Sequence, residues 1–518
     1  MLSEIISETI IKMYKQLFFF LTFILSLPLL GQEKKIRIIN ANTLQFDKNR
    51  LNAQQLIGNV IFEHDSAYMY CDTAFLFTTS NSFEAFGGIK IIQGDSIQLT
   101  GDSLTYSGKE KIAKLKGNIF YTDGKLQMVT NQLNYDMNTK IGNYSNGATI
   151  TSLENNNVLT SKIGSYHSNS KTLFFKDSVV LTNPRYVMKS DTLIYNTNTE
   201  ITFFNGATTI QGDSNYIYCE HGWYDTKNEL ASFWDNSFIQ TKEQTLSGDS
   251  IFYDRNNGIG KAFGNVLVSD TSNKIDIQGE YAYYDELKDS SLITDCALFT
   301  QYFKNDTLYL SADTLTIKQD SSTQLKTFRA YHHALLYKSD LQASCDSLVY
   351  SETDSMIYFY HSPIIWSDDS QLTGKEIKIK THNGEVKQLF IHKKATIISK
   401  ADSTTYFNQI QGKNIEGKFN KDNKLEVILV KGNGEVLYFM GEEKKPLTDV
   451  NHTLCAEMKI TLKNNEINKI KFYNKPNASL KPLINVNSDA LKLNNFNWNE
   501  KQRPRSVLDL YQYKEDKN

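Results

Sequence analysis

The stretch Gly101-Asp102-Ser103-Leu104-Thr105-Tyr106 (GDSLTY) is one copy of a phrase that recurs down the chain. TNQLNY (Thr130–Tyr135), SDTLIY (Ser190–Tyr195), GDSIFY (Gly248–Tyr253) and CDSLVY (Cys345–Tyr350) repeat it closely. ANTLQF (Ala41–Phe46), CEHGWY (Cys219–Tyr224), GEYAYY (Gly279–Tyr284), ADTLTI (Ala312–Ile317) and GKEIKI (Gly374–Ile379) repeat it more loosely. The second position falls at Asn42, Asp72, Asp102, Asn131, Lys162, Asp191, Glu220, Asp249, Glu280, Asp313, Asp346 and Lys375, at intervals of 29–33 residues. Degraded copies follow at Lys413 and Ala456. So regular a period means one supersecondary unit stacked many times, each packing on its neighbours.

Residues 97–135 show what the unit is. Ile97–Tyr106 alternates apolar and polar residues and is rich in β-branched and aromatic types, the pattern of a half-buried strand. Ser107-Gly108-Lys109-Glu110 reads as a turn, Ile112–Thr122 as a second strand and Asp123-Gly124 as a hairpin turn. Each unit is therefore two strands and two tight turns, about 14 units in all, with no room for a helix. The second strand carries a Gly-Asn or Asn-Gly pair at Gly58-Asn59, Gly117-Asn118, Asn146-Gly147, Asn205-Gly206, Gly264-Asn265 and Gly432-Asn433. Glycine inside a strand marks a bulge or bend, and a bend at one level in every unit folds the sheet into a trough.

Strict period two puts residues 102, 104 and 106 on one face. Leu and Tyr of the phrase then line the trough: Leu44, Phe46, Leu104, Tyr106, Leu133, Tyr135, Leu193, Tyr195, Ile251, Tyr253, Leu348 and Tyr350. The acids at the second position share that face and are expected on a solvated rim, because stacked like charges in an apolar trough are costly. The functional alternative for them is a metal-binding acid ladder.

Composition fits an all-β chain, with 29 Tyr, 29 Phe and 7 Pro. The formal net charge of −2, with both signs mixed, leaves no basic face for nucleic acid. Cys71, Cys219, Cys345 and Cys455 all occupy the first, small-residue position of the phrase, so size rather than sulfur chemistry selects them. Met13-Tyr14-Lys15 followed by the apolar run Leu17–Leu30 and Gly31-Gln32 reads as a secretory signal peptide over residues 1–31, with Met13 as a better start than Met1. The run is short of the roughly 20 residues of a membrane-spanning helix. The nine histidines are scattered, and adjacent His332 and His333 in a strand would face opposite ways, poor geometry for a shared metal. No nucleophile elbow, phosphate loop or Cys-x-x-Cys is present, so neither catalytic residue, metal nor cofactor is expected.

The pairing of GD-x-L-x-Y with L-x-G-N-I/V in alternate strands, behind an export signal, resembles the OstA-like family, most clearly from Arg37 to Tyr195 and with drift to about Ile470. The resemblance implies an elongated, repetitive antiparallel β-jellyroll, a taco-like folded sheet. It implies a non-enzymatic periplasmic protein of lipopolysaccharide transport and outer-membrane assembly that shields acyl chains of lipopolysaccharide or lipid A in its groove. It also implies partners joined through edge strands, either other jellyrolls of the transport bridge or an outer-membrane barrel. The expected organisation is jellyroll repeats over 32–195, continuing repeats over 196–410, capping repeats over 411–486 and a polar tail over 487–518 that docks on an edge or on a partner. Two other readings compete: an exported adhesin-like β-solenoid with a filled core, and a parallel β-helix enzyme acting on polysaccharide. Uniformly short connections up to about Gln411 argue against the enzyme.

Overall fold

A computed structural model describes residues 37–512 apart from short stretches, the longest being 48–52, 402–405 and 442–445. The expected signal segment and residues 513–518 lie outside the described residues. Within them the chain is almost all strand: 34 strands, a few 3-10 turns near the end and one α-helical turn at Asp509–Gln512. It divides into two compact units at Gly260/Lys261. In each, successive strands pair antiparallel as hairpins, as in Leu104 opposite Leu115 and Leu115 opposite Leu133. The same alternation carries through Tyr186–Asn196 to Ile201–Gly212 in the first unit, and through Phe407–Phe419, Leu425–Met440 and Asp449–Lys463 in the second.

The long ladders are interrupted near their middle. Pairing skips the two residues Gly58-Asn59, Gly117-Asn118, Asp177-Ser178, Asp235-Asn236, Asp295-Cys296, His332-His333 and Lys393-Lys394, each pair set against a single residue of the following strand, as Gly58-Asn59 against Asp72. At most of these steps both residues have positive φ, for example Gly117 at +74° and Asn118 at +46°. Two left-handed residues in succession turn the strand sharply, as a bulge does. In five places among the described residues the strand breaks outright: Arg37–Asn40 is followed by Thr43–Asp47, Ile141–Tyr144 by Ala148–Ser152, Val158–Ser161 by Ile163–His167, Met356–Tyr360 by Ile364–Ser367, and Ser370–Thr373 by Glu376–His382. Each strand thus has two halves, and stacking the halves makes two walls that meet along a line of corners.

The corner overturns one expectation. Leu99 and Gly101 point inward before it, Leu104 points inward after it, and Asp102 is exposed. Alternation restarts at the bend, so Asp102 does not share a face with Leu104 and Tyr106. It sits outside the corner, where its carboxylate accepts from Asn118 Nδ2 at 2.9 Å. Glu220 accepts from Asn236 Nδ2 at 2.8 Å in the same way. The acids are solvated, but their partner is the next strand's corner. Inside the elbow space is short: a Cβ on Gly412 would lie 2.4 Å from Val430 Cγ1. Cys71, Cys219 and Cys345 are buried there as free thiols, and burial pushes the Cys219 and Cys345 thiols up to about 12. Cys296, in a corner step, is the exposed cysteine.

The tail beyond Pro482 adds no strand. It runs back over the second unit, where Leu493 packs on Leu437, Phe439 and Val450, and Leu510 on Leu298 and Leu335. The tail therefore docks on a sheet face of its own chain, rather than on an edge.

Candidate functional site

The interior between the walls is built from register. On the wall after the corner in the first unit, one row reads Tyr106, Ala113, Tyr135, Gly142, Tyr166, Leu173, Tyr195, Thr202, Tyr224, Ala231, Tyr253, each opposite the next. Tyrosines from the phrase strands mostly alternate with smaller residues from the returning strands, so the large rings interdigitate rather than collide. A second row sets Leu104 against Leu115, Leu115 against Leu133, and Leu193 between Phe175 and Phe204. In the second unit the matching row runs Ile293, Leu315, Ala330, Leu348, Phe359, Ile377, Ile391, Ile415, Val430, Met458. All of these belong to one apolar core.

Of the twelve expected lining residues, Leu104, Leu133, Tyr135, Leu193, Tyr195, Ile251, Tyr253 and Leu348 are buried, and Tyr106 and Tyr350 half-buried. Leu193 and Tyr195 are 0 % exposed. Leu44 and Phe46 depart from the expectation, at 61 % and 59 % exposed. Their strand, Thr43–Asp47, pairs among the described residues only with Ala53–His64, so no neighbour covers its other flank.

The walls touch across this interior. Phe62 and Phe83 stand on opposite walls of the first unit with ring centroids 6.1 Å apart, and Phe299 and Phe328 on opposite walls of the second at 5.3 Å. Deep residues of both units are closed to water. The lining is less tight in one stretch of the second unit, where Phe299, Leu308, Ile317, Phe328, Tyr350 and Ile357 are only partly buried. The interior is also poor in charge. Burial pushes the phenols of Tyr135 and Tyr166 up to about 12, keeping them neutral, and the Tyr166 and Tyr186 hydroxyls lie buried without a hydrogen bond.

The histidine pair is placed differently from the expectation of a straight strand. His332 and His333 form a corner step: His332 Nδ1 is 3.0 Å from Asp346 Oδ1 and His333 Nδ1 is 2.8 Å from Asp313 Oδ2, on the strands either side. Each imidazole binds the second-position acid of a different phrase. Among the described residues no three metal-ligating side chains converge, and no helix is long and apolar enough to cross a membrane.

Two corner-folded walls, hairpin after hairpin, enclosing ladders of apolar side chains define an antiparallel β-jellyroll of repeated units. The profile of the OstA-like protein family matches residues 33–191 and again 192–291, half of the chain. The chain belongs to the OstA-like family, whose members serve lipopolysaccharide transport and are not enzymes. Among solved structures, it is similar to LptH of Pseudomonas aeruginosa, the LptA-homologous periplasmic component of the lipopolysaccharide transport device. That similarity has 15 % identity and a TM-score of 0.20, covering 21 % of this chain and 84 % of the other. No curated protein matches.

Proposed function

We propose that this protein shields the acyl chains of lipopolysaccharide in the apolar interior between its two walls, as a periplasmic component of outer-membrane assembly. The observation that carries the reading is the unbroken row Tyr106 to Tyr253 with its companion leucine row, an apolar strip with no charged side chain on it. Each methylene kept from water contributes about 0.8 kcal/mol, so an acyl chain of ten methylenes gains about 8 kcal/mol in a dry lining. Because the walls already touch, the lipid enters by replacing wall-to-wall contacts with wall-to-lipid contacts. Both are apolar, so the exchange costs little beyond separating the walls. The half-buried stretch around Phe299, Phe328 and Tyr350 is where separation starts most easily. Buried hydroxyls such as that of Tyr166 supply donors for ester and amide carbonyls of the lipid.

A second reading, a structural protein with a permanently filled core, is favoured by the Phe62–Phe83 and Phe299–Phe328 contacts. Tethering the walls separates the two. In a chain with its native cysteines replaced, Phe299→Cys and Phe328→Cys are bridged by a short bismaleimide. The bridged chain is expected to bind lipopolysaccharide at least tenfold more weakly than the same chain capped with a monofunctional maleimide. Equal binding by both places the lipid elsewhere, and binding by neither leaves the structural reading.

A further inference from the structure

The outer face of the second unit carries a row of buried glutamines, an unusual position for amides on the outside of a sheet. In register the row runs Gln342, Trp366, Gln371, Ile398, Gln409. The three glutamines stand three positions before the small residue of successive phrases, Cys345, Gly374 and Gly412. They are 3 %, 0 % and 1 % exposed because the tail lies over them. Gln371 Nε2 donates to Asn497 O at 2.6 Å, and its Oε1 accepts from Asn499 N at 2.7 Å. Gln409 repeats this two-point contact with Leu491 O at 2.9 Å and Leu493 N at 2.8 Å. Each side-chain amide thereby takes the place of a neighbouring strand's peptide group. Gln342 Oε1 accepts from Arg503 Nε at 2.7 Å, and Arg503 also donates to Asp368 O at 3.0 Å.

The contacts keep step. On the tail they advance by six residues, 491/493 to 497/499 to 503, as the glutamines advance by two strands. The tail sequence carries the same spacing in Leu491-Lys492-Leu493, Asn497-Trp498-Asn499 and Arg503-Pro504-Arg505. Rings join in between: Phe407 packs on both Phe496 and Trp498, at 5.5 and 5.0 Å. These contacts tie together strands two apart, which the sheet's own ladder does not link directly. The attachment is non-covalent and reads mainly backbone, with Leu493 and Leu510 as its buried anchors.

We propose that segment 487–512 is a releasable brace on the second unit: bound to the glutamine row, it holds the wall beneath it against the opposite wall, and when it lifts that wall moves and the interior opens. The proposal does not depend on what the interior carries. Native thiols report it, because Cys345 is buried at the inner elbow of the same strand as Gln342, while Cys219 holds the same position in the first unit. Maleimide labelling mapped by mass spectrometry is compared in the full chain, in Gln371→Ala/Gln409→Ala, and in a chain lacking 487–518. Cys345 labelling is expected to rise at least tenfold in both variants with Cys219 unchanged. A synthetic peptide of residues 487–512 added to the shortened chain is expected to restore protection. Unchanged Cys345 protection in the double variant, or no rescue by the peptide, overturns the proposal. The double variant keeps every apolar anchor, so it tests the brace even where deletion unfolds the unit.

Discussion

Tyr195→Ala lowers the opening free energy of the first unit by about 3–5 kcal/mol, the range for removing a fully buried aromatic ring. The phenol is 0 % exposed and stands in the ladder between Leu173 and Thr202. Neighbours held by sheet hydrogen bonds cannot collapse into the space, so the cavity term adds to the lost burial. In a stacked array each repeat leans on the next, so the damage spreads to adjacent strands before it reaches the other unit. Native-state hydrogen exchange reads this directly: protection drops in Thr172–Asn183, Tyr186–Asn196 and Ile201–Gly212 while Phe407–Phe419 keeps its protection. A change below about 1 kcal/mol in those strands would mean that the row is not packed as described.

Gly206→Val should cost about 3 kcal/mol or more, through a different cause. Gly206 has φ +85° at a corner, a region closed to β-branched residues, and a Cβ there would lie 2.5 Å from Asp191 Oδ2. The corner also pins register. A strand that slips by one residue exchanges its faces and would send Phe204 and Ile210 outward. Gly206→Asn with Asp191→Gly makes room for the Cβ and uses a residue that tolerates positive φ, and should recover most of the loss in thermal unfolding. If the double change is no better than Gly206→Val, the close approach of Asp191 is not what the corner depends on.

Much of this architecture is legible in the sequence, and its limits have physical causes. The Leu and Tyr rows can be read because alternation holds within each half-strand, as in Leu104 and Tyr106. The inversion at the corner cannot, because Asp177-Ser178, His332-His333 and Lys393-Lys394 make the same step without the glycine that flags Gly117-Asn118. That inversion moves Asp102 from the lining's face to the outside. Leu44 and Phe46 carry the right pattern, and they are exposed because, among the described residues, their strand is paired on one flank alone, which local pattern does not report. The tail looks merely polar, although glutamine at one position of three successive phrases and a six-residue step in the tail were both there as signals. Their meaning depends on a contact between segments 82 to 161 residues apart.

The central claim, that the interior between the walls holds acyl chains, is tested most directly by photo-crosslinking to lipopolysaccharide in cells. Benzoylphenylalanine is placed at the half-buried lining residues Tyr106 and Tyr350, and at Thr105 and Lys114, which face each other on the outside of the sheet. Lipopolysaccharide adducts at Tyr106 and Tyr350, with none at Thr105 and Lys114, are the predicted result. Adducts at the outer pair alone, or equally at all four, would contradict it.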